Sequence, residues 1–379
     1  MQDEASMLIM QADNRFVAGD TAAACEIINR AHLISSGWKA KTHWALFLLR
    51  QKEYAAAIKL LDEALALTPP QEKRAMINWL DIRNDAMLIM HLRMRMTAGT
   101  GPVLRDDQSK PRDMWETTAV ADIAAQLEDG APGQMDIVFF HVAWKGQHPF
   151  LKADDAVDYR KILIAACTAA HRASPTARIV ILTDKTSELA ELPDWVHLVR
   201  VDVLAQEMMF SRLRAYRALS LSRRLKGPVL FLDTDICLNR DFAPLLNGAF
   251  DIGLTYRVDT WHMPLNEGVI IALNAERAAA FFDMDLDIYE WIASHEFVAQ
   301  RYGFNVKMWR GGQLSLGALI DWNFPPAAPA DLVMGGVRCR MLPCDDFNYN
   351  VKITDDPAKL ATKWAVHFKG AQTKKLMTP

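Results

Sequence analysis

The chain has 379 residues, about half of them apolar, and a formal net charge of -3 at pH 7. That length exceeds what one hydrophobic core usually supports, so two folding units are expected. The composition excludes a disordered chain, and so weak a net charge, mixed in sign, gives no reason to expect nucleic acid or an anionic membrane as the main partner. Cysteine is sparse and odd in number: Cys25, Cys167, Cys237, Cys339 and Cys344. A disulfide framework would be denser and paired, and Cys339 and Cys344 lack the second pair that a zinc site needs. The opening MQDEASMLIM places acids before its apolar residues, unlike a secretory signal, and no run of about 18 apolar residues offers a membrane span. A cytoplasmic protein is expected.

From Ala12 to about Met96 the pattern is helical, rich in Ala, Leu, Lys and Glu with almost no β-rich runs. In THWALFLLRQKEYAAAIKLLDEALALTPP, Ala45, Ala57 and Ala64 are small where two antiparallel helices must approach closely, and Pro69 ends the second helix. This stretch resembles a tetratricopeptide repeat. One period of about 34 residues upstream, Ala23 and Ile27 correspond to Ala57 and Leu61. A further helix near Glu72 to Met96 is expected to cap the stack, so residues 1–97 read as a tetratricopeptide-like helical domain. Such helices imply a protein partner or a homodimer contact. Residues 98–134 read as a linker: AGTGPVLRDDQSKPRD is rich in Gly, Pro and charge, a short helix is expected at Thr117 to Leu127, and GAPGQ follows.

Residues 135–379 read as an α/β domain. Apolar runs at Met135 to Val142, Ala177 to Asp184, Val196 to Val203 and Pro228 to Asp235 predict strands, and helical stretches such as AVDYRKILIAACTAAHR and MMFSRLRAYRALSLSRRL separate them. Continuous β-branched strands joined by helices predict a buried, mainly parallel, Rossmann-like sheet with right-handed crossovers. FDIGLTYR, NEGVIIALN, the helix AERAAAFFDMDLDIYEWIASH, RCRMLPCDDFNYN and WAVHFKG complete the domain.

The sharpest chemical feature is GPVLFLDTDICLNRDF. An apolar strand runs into Asp233 and Asp235, which on an extended chain point to the same side. Carboxyl ends of strands are where ligands bind in open α/β sheets. Two such charges repel unless a divalent cation lies between them and a diphosphate, and Mn²⁺ or Mg²⁺ favours those oxygens.

An apolar strand ending in DxD, with RL in the preceding helix, NxGV downstream and HxxG near the C-terminus, resembles the nucleotide-diphospho-sugar transferases of GT-A fold. It is most similar to glycosyltransferase family eight, the glycogenin and lipopolysaccharide-galactosyltransferase type. The resemblance implies a metal held by Asp233, Asp235 and His367 of HFKG, with Asp233 and Thr234 close to the donor. It implies donor contacts from Asp184 near the nucleoside, Arg212 of SRL, Asn266 of NEGV to the sugar hydroxyls, Gly370 beneath the diphosphate and Lys374 on the leaving group. Family members usually place that lysine where this chain has Thr373. Gln313 and Asn266 are the implied catalytic residues. The family commonly has Asp-Gln near the reacting sugar, whereas RGGQ here keeps Gln313 and puts Gly312 in the place of the aspartate.

The activity implied is sugar transfer from a nucleotide-diphosphate donor, a UDP-sugar first, to a glycan, lipid-linked or protein hydroxyl in surface glycan or glycoconjugate synthesis. Retention at the anomeric carbon is implied; inversion would need a base such as Glu267 or Asp345. Trp144, Trp261 and His262 are candidates for lining an acceptor cleft. Two rival readings stay open: a haloacid dehalogenase-type phosphatase, which also follows a strand with DxD and for which CDDF offers a later acidic pair, and a protein-interaction scaffold with an inactive transferase domain.

Overall fold

Small residues decide how the N-terminal helices pack. The computed structural model describes residues 2–35, 37–142, 157–189, 191–247, 250–257, 260–302, 306–322 and 331–377. Helices α1 (Gln2–Val17) and α2 (Thr21–Ile34) form one hairpin, α3 (Trp38–Arg50) and α4 (Tyr54–Leu67) a second, and the long α5 (Lys73–Thr97) lies on α4. Ala12, Ala24 and Ala31 are fully buried in the first hairpin, Ala45, Ala57 and Ala64 in the second. Asp20 starts α2 by accepting a hydrogen bond from the Ala23 N–H at 3.2 Å.

These helices do not share one core. Leu8, Ala12, Ala24, Ile28, Ala31 and Phe47 form a small separate cluster, whereas Leu49, Tyr54, Leu61, Ala86, Ile89 and Leu92 belong to the large core of the α/β unit. Tyr54 meets Trp261 with ring centroids 6.5 Å apart. Asp321 accepts from Arg93 at 2.7 and 3.0 Å and from Lys52 at 2.9 Å, so a single carboxylate clasps α5 and the turn between α3 and α4.

The segment after α5 has the composition of a linker and lies as a strap over the α/β helices. Helix α6 (Met114–Gln126) is capped by Asp113 and follows it. The α/β unit runs β1 (Asp136–His141), α7 (Tyr159–Ala173), β2 (Arg178–Asp184), β3 (Val196–Val201), α8 (Met208–Leu221), β4 (Val229–Leu232), β5 (Ile236–Leu238), β6 (Ile252–Tyr256), β7 (Leu265–Ala272) and α9 (Ala275–Ala293). It continues with α10 (Glu296–Tyr302), a π-helical turn Val306–Arg310, α11 (Gly311–Leu319), β8 (Asp331–Met334), β9 (Val337–Pro343), α12 (Cys344–Phe347), β10 (Tyr349–Asn350), α13 (Pro357–Thr362), β11 (Ala365–His367) and α14 (Ala371–Lys374).

An eight-stranded sheet has the order β3-β2-β1-β4-β7-β6-β9-β8, in which β7 and β8 run against the rest. This is the expected class: a mixed, mainly parallel α/β sheet behind a helical N-terminal region. A small sheet, β10-β11-β5, stands beside it and brings the C-terminal strand to the end of β4. Residues of α8, α9 and α11 fill the core on one face of the large sheet, and α7 with the small sheet fills the other.

One local reading changes. Asp233 to Asp235 is not a continuation of β4: the chain turns there, and the Ile236 N–H donates to the Asp233 carbonyl at 3.2 Å before β5 starts. The β4 ladder ends at Leu232 opposite Val269, and the pairing of β5 with β11 draws the chain off the large sheet. Two arginines of α8 turn inward. Arg212 and Arg217 are buried and ion-paired, because long-range carboxylates meet them.

Candidate metal and donor site

Strand register assembles the site at the carboxyl end of the sheet. The Asp233 N–H donates to the Gly268 carbonyl at 2.9 Å, and the Phe368 N–H donates to the Asp235 carbonyl at 2.9 Å. His367 pairs with Ile236 across β11 and β5, which sets its ring beside both aspartates. Its Nε2 lies 3.1 Å from an Asp235 oxygen and 3.9 Å from an Asp233 oxygen. One ligand atom from each of the three residues falls within 4.8 Å of the others, the one such group among the described residues.

The His367 ring is oriented from behind. Its Nδ1 meets the Asn348 amide oxygen at 2.8 Å, the Asn348 amide donates to Thr255 Oγ1 at 3.1 Å, and that hydroxyl donates to the Asn266 carbonyl at 3.0 Å. This chain of bonds fixes the ring through Nδ1 and leaves Nε2 as the nitrogen that faces the carboxylates. Two carboxylates and an imidazole whose second nitrogen is so held suit a divalent metal. The space beneath them is tight: a Cβ on Gly268 would stand 3.1 Å from Asp233 Oδ2, Asn348 Nδ2 and His367 Cε1, so any larger residue there would press on all three.

Cations crowd the same carboxylates. Arg212 donates to Asp233 Oδ1 at 2.6 Å and to Glu267 with its other arm. Lys374 Nζ lies 3.0 Å from Asp235 Oδ2 and 4.9 Å from the Tyr159 ring centroid. Burial would raise the Asp235 carboxyl, but the His367 ring and Lys374 hold it well below the usual carboxylate range. Burial opposes the Lys374 charge in turn, and Asp235 outweighs it, raising that ammonium. Lys369 is pushed down by burial and by Arg257 beside it, with Asp233 and Asp235 acting in the opposite sense.

The other sequence-predicted residues fall as follows. Thr234 is in the turn between the two aspartates. Asn266 is buried at the start of β7, its Oδ1 accepting the Gly268 N–H at 2.9 Å. Gln313 is half-buried on the first turn of α11, directly after Gly312. Gly370 has φ 83°, a conformation that glycine alone adopts freely, and no atom would meet a Cβ there within 4 Å. Asp184 ends β2 at the same edge, but both of its oxygens are taken by its own turn, through the backbone N–H groups and hydroxyls of Thr186 and Ser187. Burial would raise that carboxyl, and these bonds lower it.

Trp261 is buried against Tyr54, and burial depresses the pKa of His262 beside it. Trp144 lies outside the described residues. Asp345 is exposed, while the Asp346 carboxylate pairs with Lys363 at 3.1 Å and its backbone carbonyl accepts the Trp364 N–H. The five cysteines are free. Sequence reading missed Asn348, whose FNYN context carries no chemical signature, and did not see that Arg212 bridges Asp233 to Glu267.

No family model and no curated protein matches the sequence. Among solved structures the chain is similar to an active-site mutant of LgtC, at 16% identity over 64% of this chain and 95% of that one, with a TM-score of 0.39. It is similar to a glycosyltransferase involved in the glycosylation of the major capsid of PBCV-1, at 10% identity over 65% of this chain and 100% of that one, with a TM-score of 0.39. A third likeness is to apo GlyE of Streptococcus pneumoniae, at 16% identity over 63% of this chain and 55% of that one, with a TM-score of 0.38. At scores this low the likenesses decide nothing about chemistry, which rests on the side chains of this site. Among the described residues no helix is long and apolar enough to cross a membrane.

Proposed function

We propose that this chain is a metal-dependent glycosyltransferase, with a GT-A-like catalytic domain at residues 135–379, a tetratricopeptide-like module at residues 1–97 and a connecting segment at 98–134. It moves a sugar from a nucleotide-diphosphate donor, a UDP-sugar first, to a hydroxyl of a glycan, lipid-linked or protein acceptor. Surface glycan or glycoconjugate synthesis from the cytoplasm is the setting we infer.

One observation carries this reading: Asp233, Asp235 and an oriented His367 converge at a strand end with Lys374 poised on Asp235. Asp233, Asp235 and His367 would hold Mn²⁺ or Mg²⁺, whose chemistry when bound is to stabilise negative charge on the departing diphosphate. Lys374 sits on a carboxylate in the free protein and supplies a cation to the same charge. The turn at Gly370, open on its Cα side, lets backbone approach a phosphate closely. Asn266 and Gln313 would serve the sugar, and the N-terminal helices would serve a protein partner or a second copy.

The test is titration of UDP, GDP and CDP with and without Mn²⁺, followed by thermal unfolding. A bound diphosphate at about 100 times its Kd adds about 2.7 kcal/mol of stability. One nucleotide should shift the transition, and only with Mn²⁺. Asp235→Asn should remove that shift and cut metal-dependent turnover by about 100-fold or more, with the fold retained. Unchanged turnover in Asp235→Asn would overturn the assignment.

A further inference from the structure

The glycine at 312 has a structural counterpart on β7. Register along β6 and β7 runs Leu254 to Ile270 and then jumps to Thr255 opposite Asn266, so residues 267–269 form a bulge. Downstream of it the side chains alternate: Ile270 and Ala272 enter the core under α8 and α9, Val269 and Ile271 the opposite one. Counted back by regular alternation, Glu267 would share the face of Val269. The bulge turns it instead toward α8 and α11, where it meets Arg212 and Gly312.

The fit there is exclusive. Glu267 is 4% exposed, and its Oε1 has no hydrogen-bond partner. A Cβ on Gly312 would collide with that oxygen and stand 2.5 Å from Glu267 Cδ and 2.6 Å from Oε2. Any side chain at 312 therefore claims the volume that this carboxylate fills. Through Oε2 Glu267 holds one arm of Arg212, whose other arm donates to Asp233 Oδ1 at 2.6 Å. Without Glu267, the whole guanidinium is free to fold onto Asp233 and compete there for its oxygens.

We propose that Glu267 is a positioning residue that holds Arg212 at the edge of Asp233, in a seat that the absence of a side chain at Gly312 leaves open. This rests on the metal-dependent transfer proposed above. The carboxylate matters by its place, whichever backbone carries it. Gly312 and Glu267 are one device, in which the glycine is the seat and the glutamate the occupant.

The experiment measures Mn²⁺ affinity by electron paramagnetic resonance, and kcat and KM for hydrolysis of UDP-glucose and UDP-galactose. The proteins are wild type, Glu267→Ala, Gly312→Ala, the double alanine variant and the exchange Glu267→Ala with Gly312→Asp. Each single variant should weaken Mn²⁺ binding by about 10- to 100-fold, the range for an outer partner of a ligand. The double alanine variant should be no worse than either single one, and the exchange should recover most of the loss. Additive losses, or an exchange variant no better than Glu267→Ala, would overturn the proposal. If Gly312→Ala fails to fold, recovery of folding in the double variant supports the seat, and failure of both refutes it. Mn²⁺ binding that Asp235→Asn also leaves intact would instead bring down the metal reading itself.

Discussion

Arg212 and Arg217 stand about one and a half turns apart on α8, and their surroundings teach opposite lessons. Arg217 is fully buried between Glu116 and Asp283, with its Nη2 donating to the Gln108 and Lys110 carbonyls at 3.0 and 2.9 Å. Arg112 reaches Asp283, Asp287 and Glu290, and Arg105 adds a further contact to Asp283. Strap, α6, α8 and α9 are pinned together around Arg217, Glu116 and Asp283, whose side chains have no access to water. Arg212 shares the same residue chemistry, but Asp233, Asp235 and Lys374 at its end of the helix keep a solvent edge. A sealed network has no alternative partner and therefore acts on stability. An open one can exchange an internal cation for an external one and therefore acts on binding.

The hardest test of that contrast is Arg217→Met. It leaves Glu116 without its ion-pair partner in a site closed to water, while Asp283 keeps Arg112 and Arg105, and should cost about 3–5 kcal/mol in denaturant unfolding, with Mn²⁺ affinity unchanged in whatever protein folds. A loss below about 1 kcal/mol would mean water reaches the cluster. At the open site Asn348→Ala should do the reverse. Releasing the His367 ring should weaken Mn²⁺ binding by about 10- to 100-fold at a stability cost of about 1–3 kcal/mol, below that of Arg217→Met, which calorimetry and metal titration on one preparation would check.

The smallest effect concerns Asp285, which lies between the two arginine neighbourhoods. Burial pushes its carboxyl up to about 7, against the opposing pull of Ser315, which donates at 2.5 Å, and of Arg212. Its folded pKa therefore exceeds the unfolded value, so the contribution is full below about pH 4 and is lost as pH rises through about 7. Wild type should lose of order 1 kcal/mol between pH 5 and 8, once relaxation blunts the burial cost. Asp285→Asn should flatten that slope, as urea unfolding at a series of pH values would show.

The sequence made the open site legible because its pieces are local. VLFLDTD announces a buried strand that stops at acids, and HFKG follows an apolar run, so each motif names its own chemistry. The sealed network was illegible for the opposite reason. Arg112 and Asp283 are 171 residues apart, and nothing near either one reveals the other. A Gly- and Pro-rich stretch reads as a linker whether it hangs free or is strapped down. The turn at Asp233 was hidden by the pairing of β5 with β11, and the direction of Glu267 by a bulge that alternation does not foresee. The helical hairpins were visible from the spacing of Ala45, Ala57 and Ala64, but not which core they would join.

That last point decides how the molecule bears load. Phe47 faces the small cluster of α1 and α2, while Ala45 and Leu49 on the same helix belong to the main core. Helix α3 is thus a seam between two cores. The first hairpin packs on its own small cluster, whereas α4 and α5 are staves of the α/β unit, fastened at Asp321 and Trp261. Force on α1 reaches the large core by way of α3, whereas force on α5 acts on that core directly.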